Sequence, residues 1–236
     1  MARYDGVASW YDAYISADAA GLTRTVGRAL GRLLGQGPGP CLDAGCGTGI
    51  HISTLQALGW TVVGVDVSAD QLRVARERLG PGNQLVRADA VALPFGSDAF
   101  DAGCATLIHT DVDDIAGVFA EIGRVIRPGG RFVYIGTHPC FVSPFVERTD
   151  DGGRVLHPGY RDAGWHRDGP GLGPGIRSRV GVRHVPLGDL LMAVLDAGLT
   201  LVAVEEIGSP LPELLALSAM KVPLERRVTP ASDHRA

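Results

Sequence analysis

The amino-acid sequence predicts an α/β fold built on a mostly parallel sheet with helices on both faces. Three observations lead there. Short β-rich runs alternate with segments of helical period over the first 140 or so residues, the pattern that a wound α/β sheet requires. The run from Trp60 to Asp66 (WTVVGVD) is almost continuously apolar, as expected of a strand covered on both sides. The stretch from Cys41 to Gly49 (CLDAGCGTG) describes a strand that stops, turns tightly on glycines and feeds a helix. Such a turn lets a ligand approach bare backbone, because glycine has no Cβ and accepts positive φ.

Composition sets the frame. The chain has 236 residues, enough for one sizeable domain, with 45% apolar and 20% charged residues and a formal charge of −4. That balance argues against nucleic acid or an anionic membrane surface as partner. The four cysteines form no C-x-x-C pair and no cluster with histidine, which favours reduced thiols over disulfides or zinc. The N-terminus lacks an apolar leader, and no run approaches the ~18 apolar residues of a membrane span. A soluble, cytoplasmic protein is expected.

Residues 1–36 read as a helical cap. Tyr4, Trp10, Tyr11 and Tyr14 crowd its start, either as a helix docked by its aromatic side or as an aromatic lid over a ligand. Aromatic rings attract a nearby cation. Leu22, Val26, Ala29, Leu30, Leu33 and Leu34 recur at helical spacing before the Gly/Pro run at 35–40. Residues 38–140 form the core. Its glycines fall at 45, 47 and 49, and Ile50 stands where a dinucleotide fingerprint wants its third glycine, so that spacing fails. Ile52, Leu55 and Leu58 mark a short helix. Asp66 ends the second strand, where this kind of fold places an acid that grips a ribose diol. Residues Ser68 to Gln71 form a capping box for the next helix, which leaves Asp66 free for other work.

A third strand is expected from Gln84 to an end at Asp89, and a fourth from Ala102 to Ile108 after a turn. Asp111, Asp113 and Asp114 precede the helical pattern of Ile115, Val118, Phe119 and Ile122, and read as capping and dipole-complementing acids rather than a magnesium site. A fifth strand, Arg131 to Gly136, leads into Thr137 and His138. Residues 141–185 are rich in glycine and proline yet hold Tyr160, Trp165 and His166, so they read as a lid insertion folded over the strand ends and mobile at its Gly-rich part. Arg177 to Val185 reads as extended. Residues 186–223 add a periodic helix (Leu187, Leu190, Leu191, Val194, Leu195), a strand at Thr200 to Glu205, and a last segment at Leu211 to Met220 that suits strand or helix. Residues 224–236 read as a flexible tail.

Taken in order, these pieces resemble a class I S-adenosylmethionine-dependent methyltransferase, of the broad type that includes ubiquinone-biosynthesis methyltransferases. Residues Asp43 to Gly49 look like that family's first motif, Gly64 to Ser68 like its acidic loop, Ala88 to Ala90 like its adenine-contacting pair, and Arg124 to Gly130 like the turn before its fifth strand. The resemblance implies a Rossmann-like, three-layer α/β/α fold with a mostly parallel seven-stranded sheet. It also implies cofactor contacts from Tyr11, Asp43, Gly45, Cys46, Gly47, Asp66, Val67, Gln71, Asp89, Ala90 and Ala105. S-adenosylmethionine carries no phosphate, and no lysine or arginine occurs from Cys41 to Ala69. A carboxylate such as Asp66 accepts both hydroxyl protons of a diol, while Asp89 suits the adenine amine and the Ala90 amide a ring nitrogen.

The expected reaction is methyl transfer to a small molecule, aromatic or heteroaromatic, at oxygen, nitrogen or electron-rich carbon, with no metal. His138 and then His109 are the candidate bases or acceptor-orienting groups, because both follow strand ends. Tyr14, Tyr160, Trp165 and His184 are further acceptor-contacting candidates. The partners expected are a small molecule only, with neither nucleic acid nor membrane, for a monomer or homodimer. Two other readings share the fold: a cyclase or binding protein that holds the cofactor without transferring its methyl group, and an RNA or protein methyltransferase. Mild acidity disfavours the latter, since Arg177, Arg179 and Arg183 are the only compact basic group.

Overall fold

Apolar alternation along one strand shows how the chain is layered. In the strand Ile126–Thr137, Phe132 and Tyr134 enter a core on one face of the sheet, while Val133 and Ile135 enter a second core on the other. Side chains of a strand alternate in direction, so a strand apolar at every position must be covered twice. The computed structural model describes residues 2–17, 19–173 and 175–223; the predicted tail at 224–236 lies outside them.

The elements in order are α1 (Ala8–Ser16), α2 (Ala20–Leu34), β1 (Pro40–Ala44), α3 (Ile52–Ala57), β2 (Thr61–Asp66), α4 (Ala69–Leu79), β3 (Gln84–Arg87), β4 (Phe100–Thr106), α5 (Ile115–Val125), β5 (Ile126–Thr137), β6 (Val146–Arg148), β7 (Arg154–Leu156), β8 (Gly164–His166), α6 (Ile176–Val180), β9 (Val182–His184), α7 (Leu187–Asp196), β10 (Leu199–Ile207) and β11 (Leu214–Lys221). Seven strands form the main sheet in the order β10-β11-β5-β4-β1-β2-β3. From β3 to β5 the pairing is parallel; β11 runs antiparallel to both of its neighbours. The predicted α/β/α architecture with a mostly parallel seven-stranded sheet is therefore observed.

Helices α5 and α7 cover one face, through Phe119, Ile122, Leu190 and Val194. Helices α2 and α3 cover the other, through Val26, Leu30, Leu34 and Leu55. Residues 211–220, which suit strand or helix by sequence, supply most of β11 (Leu214–Lys221), which is hydrogen-bonded on both sides. Several boundaries differ from expectation, among them the fifth strand, which begins at Ile126 rather than Arg131. The third strand ends at Arg87, short of Asp89. The fourth begins at Phe100 and stops at Thr106 because Leu107 takes a φ of 56°. Residues 177–185 are not one extended segment: Ile176–Val180 is helical, and Gly181, with a φ of 77°, turns the chain into β9. Within 141–185, β6 pairs with β7 and β8 with β9 as two small antiparallel pairs.

Candidate cofactor cleft

Strand β1 lies between β2 and β4, and the order of the sheet reverses there. Open α/β sheets bind ligands outside the carboxyl ends of the strands at such a point. A cleft of about 530 Å³ opens there, lined in part by Gly45, Gly47, Asp66, Gln71, Ala90 and Ile108.

The glycine turn forms the floor. The N–H groups of Gly45 and Cys46 both donate to the Val65 carbonyl, at 2.8 and 2.9 Å, which ties the turn to the end of β2. Gly45 has a φ of 73°, and a Cβ there would stand 2.7 Å from Ile108 Cδ1. Gly47 has a φ of 54°, and a Cβ there would meet only Gln71 Oε1, at 3.6 Å, so bare backbone faces the cleft. Asp66 is not idle. Its Oδ2 accepts from Gly47 N at 2.9 Å and its Oδ1 from Ser68 N at 2.8 Å. Burial raises its pKa, against the lowering effect of those two donors. Ser68 caps α4 by accepting from Gln71 N, but the reciprocal half of the expected capping box is missing. Gln71 is 2% exposed and its Oε1 has no partner. Gln71 thus presents a buried acceptor without a partner at the cleft wall.

Asp89 and Ala90 line the far end. Asp89 Oδ1 accepts from Val91 N at 3.2 Å, closing a turn just after β3, while the Ala90 N–H has no partner among the described residues. Val67 and Tyr11 also face the cleft. Three predicted contacts do not. Asp43, Cys46 and Ala105 are 1%, 7% and 0% exposed and lie beneath the floor. Asp43 accepts from the Cys104 thiol at 3.5 Å, and burial, against that bond, pushes its pKa up to about 7, with the Asp66 charge adding to the rise.

The N-terminal segment roofs the cleft. Tyr4 donates to Asp111 Oδ1 at 3.0 Å, Gly6 N to Asp70 at 2.7 Å, and Ser68 Oγ to Asp5 at 2.7 Å. Tyr4 and Tyr11 meet edge to face at 5.0 Å, and both line the cleft. Both rings thus belong to the cleft wall on its N-terminal side. Tyr14 instead stacks on Trp10 at 5.5 Å, away from the cleft lining.

The expectation that Asp111, Asp113 and Asp114 all serve a helix start holds for Asp114 alone, which accepts from Gly117 N at 2.8 Å. Asp111 pairs with Arg177 at 2.7 Å and Asp113 with Arg3 at 3.0 Å. Neither partner is near in sequence, so no local pattern pointed to them. Among the described residues no group of three or more His, Cys, Asp or Glu is placed to hold a metal ion.

No histidine among the described residues lines the cleft. His138, expected to face it, is 1% exposed. Its Nε2 donates to Glu206 at 2.8 Å and its Nδ1 accepts from Cys140 N at 3.2 Å, so both nitrogens are committed to the β5–β10 side. His109 is 3% exposed and bonds the Tyr134 hydroxyl at 2.6 Å; burial, with Arg177 and His184 adding, lowers its pKa to about 3. His184 donates to the Tyr160 carbonyl at 2.7 Å, and the Tyr160 hydroxyl accepts from Leu187 N at 2.8 Å. These two hold the insertion together behind the cleft wall. Trp165 reaches the cleft rim, where its indole N–H donates to Asp113 and Arg3 covers its ring at 3.4 Å.

Five carboxylates line the cleft; Arg177 and Arg3 pair with Asp111 and Asp113, which leaves Asp66, Asp89 and Asp114 without a basic partner among the described residues. That suits a ligand bearing an ammonium and a sulfonium and disfavours a dinucleotide with its phosphates.

Comparison with known proteins agrees with this geometry. A methyltransferase domain family matches residues 42–134. The O-methyltransferase cnsE of Penicillium expansum is 38% identical over 138 residues, covering 54% of this chain and 48% of that protein. The demethylmenaquinone methyltransferase of Renibacterium salmoninarum is 34% identical over 146 residues, covering 61% of each. The chain thus spans about half to three fifths of the length of these relatives. An S-adenosylmethionine-dependent methyltransferase from Mesorhizobium loti superposes with a TM-score of 0.66 at 25% identity, over 92% of this chain and 99% of that one. The 1,6-didemethyltoxoflavin-N1-methyltransferase of Burkholderia thailandensis shares the fold, with a TM-score of 0.61 at 22% identity over 94% and 87% of the two chains. Residues 42–134 thus match a methyltransferase domain, and the chain as a whole shares the fold of S-adenosylmethionine-dependent methyltransferases.

Proposed function

We propose that this chain binds S-adenosylmethionine in the cleft above the glycine turn and directs its methyl group to a small, uncharged or cationic acceptor, aromatic or heteroaromatic in character. The observation that carries the reading is the pairing of a buried, unpartnered Gln71 amide with an acid-lined cleft whose floor is bare glycine backbone. Asp66, already oriented by Gly47 N and Ser68 N, keeps lone pairs for a ribose diol. Asp89 and the Ala90 N–H suit the adenine edge. Gly45 and Gly47 admit the methionine portion, and Gln71 gives or takes one hydrogen bond within the same cleft.

When bound, the cofactor supplies a methyl group already activated on sulfonium. The chain's own task is to align the acceptor in line with that group and keep water away. Tyr4 and Tyr11 close the cleft from the N-terminal side and place π-faces beside a cationic ligand. Because no histidine among the described residues lines the cleft, the reading favours an acceptor that is nucleophilic without a strong base, such as an amine, an electron-rich ring carbon or an acidic enol or phenol. The names of the demethylmenaquinone and didemethyltoxoflavin methyltransferases fit cyclic small molecules of this kind. Four free cysteines fit a reducing compartment. No helix among the described residues is long and apolar enough to cross a membrane.

The test has two arms. Calorimetry with S-adenosylhomocysteine should show saturable binding that Asp66→Asn weakens. Incubation with a panel of hydroxyarenes, indoles and amines should yield S-adenosylhomocysteine in step with methylated product. Binding without any S-adenosylhomocysteine formation, but with an acceptor rearranged, would support the non-methylating reading. A [4+2]-cyclase shares this fold at 20% identity and a TM-score of 0.61.

A further inference from the structure

Two segments distant in sequence meet over the cleft mouth by exchanging the same two kinds of group. Arg3, before α1, covers the Trp165 ring of β8 at 3.4 Å, and Arg3 and the Trp165 indole N–H both bind Asp113. In return Arg179 of α6 covers the Trp10 ring of α1 at 4.3 Å. The N-terminal segment and the insertion thus each give one guanidinium and one indole. Exposed cation–π pairs of this kind are individually modest, but these flank a third contact that is largely buried.

That contact runs through Arg177. Its Nη1 donates to Asp111 Oδ1 at 2.7 Å and its Nη2 to Thr110 Oγ1 at 2.8 Å, while Thr110 Oγ1 donates to Asp111 Oδ2 at 2.9 Å. The carboxylate so fixed receives the Tyr4 hydroxyl at 3.0 Å. Asp111 and Tyr4 line the cleft; Arg177 does not. Side-chain exposure is 23% for Arg177 and 16% for Asp111, so parting them leaves two poorly hydrated charges.

We infer that Arg177 is a positioning residue by which the insertion latches the N-terminal roof over the bound cofactor, so that roof and insertion release together. The inference rests on the cleft being the S-adenosylmethionine seat. With Arg177 in place, Asp111 is held where it anchors Tyr4, and Tyr4 keeps Tyr11 edge-on beneath it. When the insertion lifts, Asp111 loses its fork of donors and turns to water, and the Tyr4 anchor goes with it. Cofactor exchange then waits on the same motion that opens the acceptor side. The cost of breaking such a latch falls on dissociation more than on association.

The experiment measures the release of S-adenosylhomocysteine from the full chain by stopped-flow displacement, with melting temperatures in parallel. Arg177→Met should release it about tenfold faster, with association changed by less than about threefold. Trp165→Ala and Arg3→Ala, at the exposed end of the latch, should each speed release by about threefold, and together by less than the product, because they share one contact. Arg177→Lys should not restore the wild-type rate, since one ammonium cannot reproduce the fork. Should Arg177→Met fold poorly, the Arg177→Met/Asp111→Asn pair removes the unpaired charge; it should recover the melting temperature and still release fast. A stably folded double variant that releases at the wild-type rate would make Arg177 merely structural and overturn the inference. If the wild type binds no S-adenosylhomocysteine, the cofactor reading itself fails and the latch falls with it.

Discussion

Asp66 Oδ2 lies 2.9 Å from the Gly47 amide nitrogen, so the acid at the end of β2 holds the glycine turn at the end of β1. One carboxylate therefore shapes the turn and faces the cleft. Asp66→Ala should act on both roles: lower stability by about 1–3 kcal/mol, from two backbone N–H groups left without their acceptor, and weaken S-adenosylhomocysteine binding by at least about tenfold. Asp66→Asn keeps one acceptor oxygen and should separate the effects, with a smaller stability loss and a similar affinity loss. Unchanged affinity in both variants, by calorimetry, would remove Asp66 from the cofactor site.

Gly45 and Gly82 give a matched test of which glycines matter. Both have positive φ, 73° and 91°, where an alanine costs about 1 kcal/mol. A Cβ at Gly45 would also press on Ile108 Cδ1 at 2.7 Å, whereas nothing lies within 4 Å of one at Gly82. Gly45→Ala should cost stability and reduce cofactor affinity by more than about tenfold; Gly82→Ala should cost only about 1 kcal/mol. Equal effects on affinity would contradict the placement of the cleft floor.

The pattern of strands, glycines and acids was readable because it is local. Asp66, Gly47 and Gln71 sit within 25 residues of one another, and period and turn chemistry place them. The surroundings of the histidines are less legible for a related reason. A position just after a strand end says that His138 is near the ligand edge of the sheet, but not that Glu206, on β10, claims its Nε2. Likewise the acids at 111, 113 and 114 carry a helix-start signature, and only the fold reveals that two of them belong to Arg177 and Arg3. Partners separated by 66 and 110 residues leave no periodic trace in one sequence.

Asp43 predicts a pH dependence of stability with a definite sign. Burial raises its folded pKa to about 7 from an ordinary value of 3.8. Between those values the folded protein keeps a proton that the unfolded chain has lost, so this group's contribution falls as pH rises and is gone above about 7. Asp43→Asn carries no such proton. The difference in unfolding free energy, variant minus wild type, should therefore grow by about 1.4 kcal/mol per pH unit between about pH 4 and 7. Urea melts across that range would measure it. A difference independent of pH would mean that Asp43 ionises normally despite its burial.

His138 offers the sharpest separation of structure from catalysis. It is 1% exposed, its Nδ1 accepts from Cys140 N, and its Nε2 donates to Glu206. Replacing it by alanine opens a small cavity and leaves the Cys140 amide without its acceptor, so stability should fall by about 2–4 kcal/mol. Activity per folded molecule should change by less than about threefold, because no atom of His138 lines the cleft and the interactions lost are the same with and without a ligand. His138→Asn keeps an acceptor for Cys140 N and should recover part of the stability. The measurement is kcat at a temperature where circular dichroism shows the variant folded. A hundredfold fall in kcat with the melting temperature unchanged would mean that the ring is freed from Glu206 during turnover and reaches the acceptor after all.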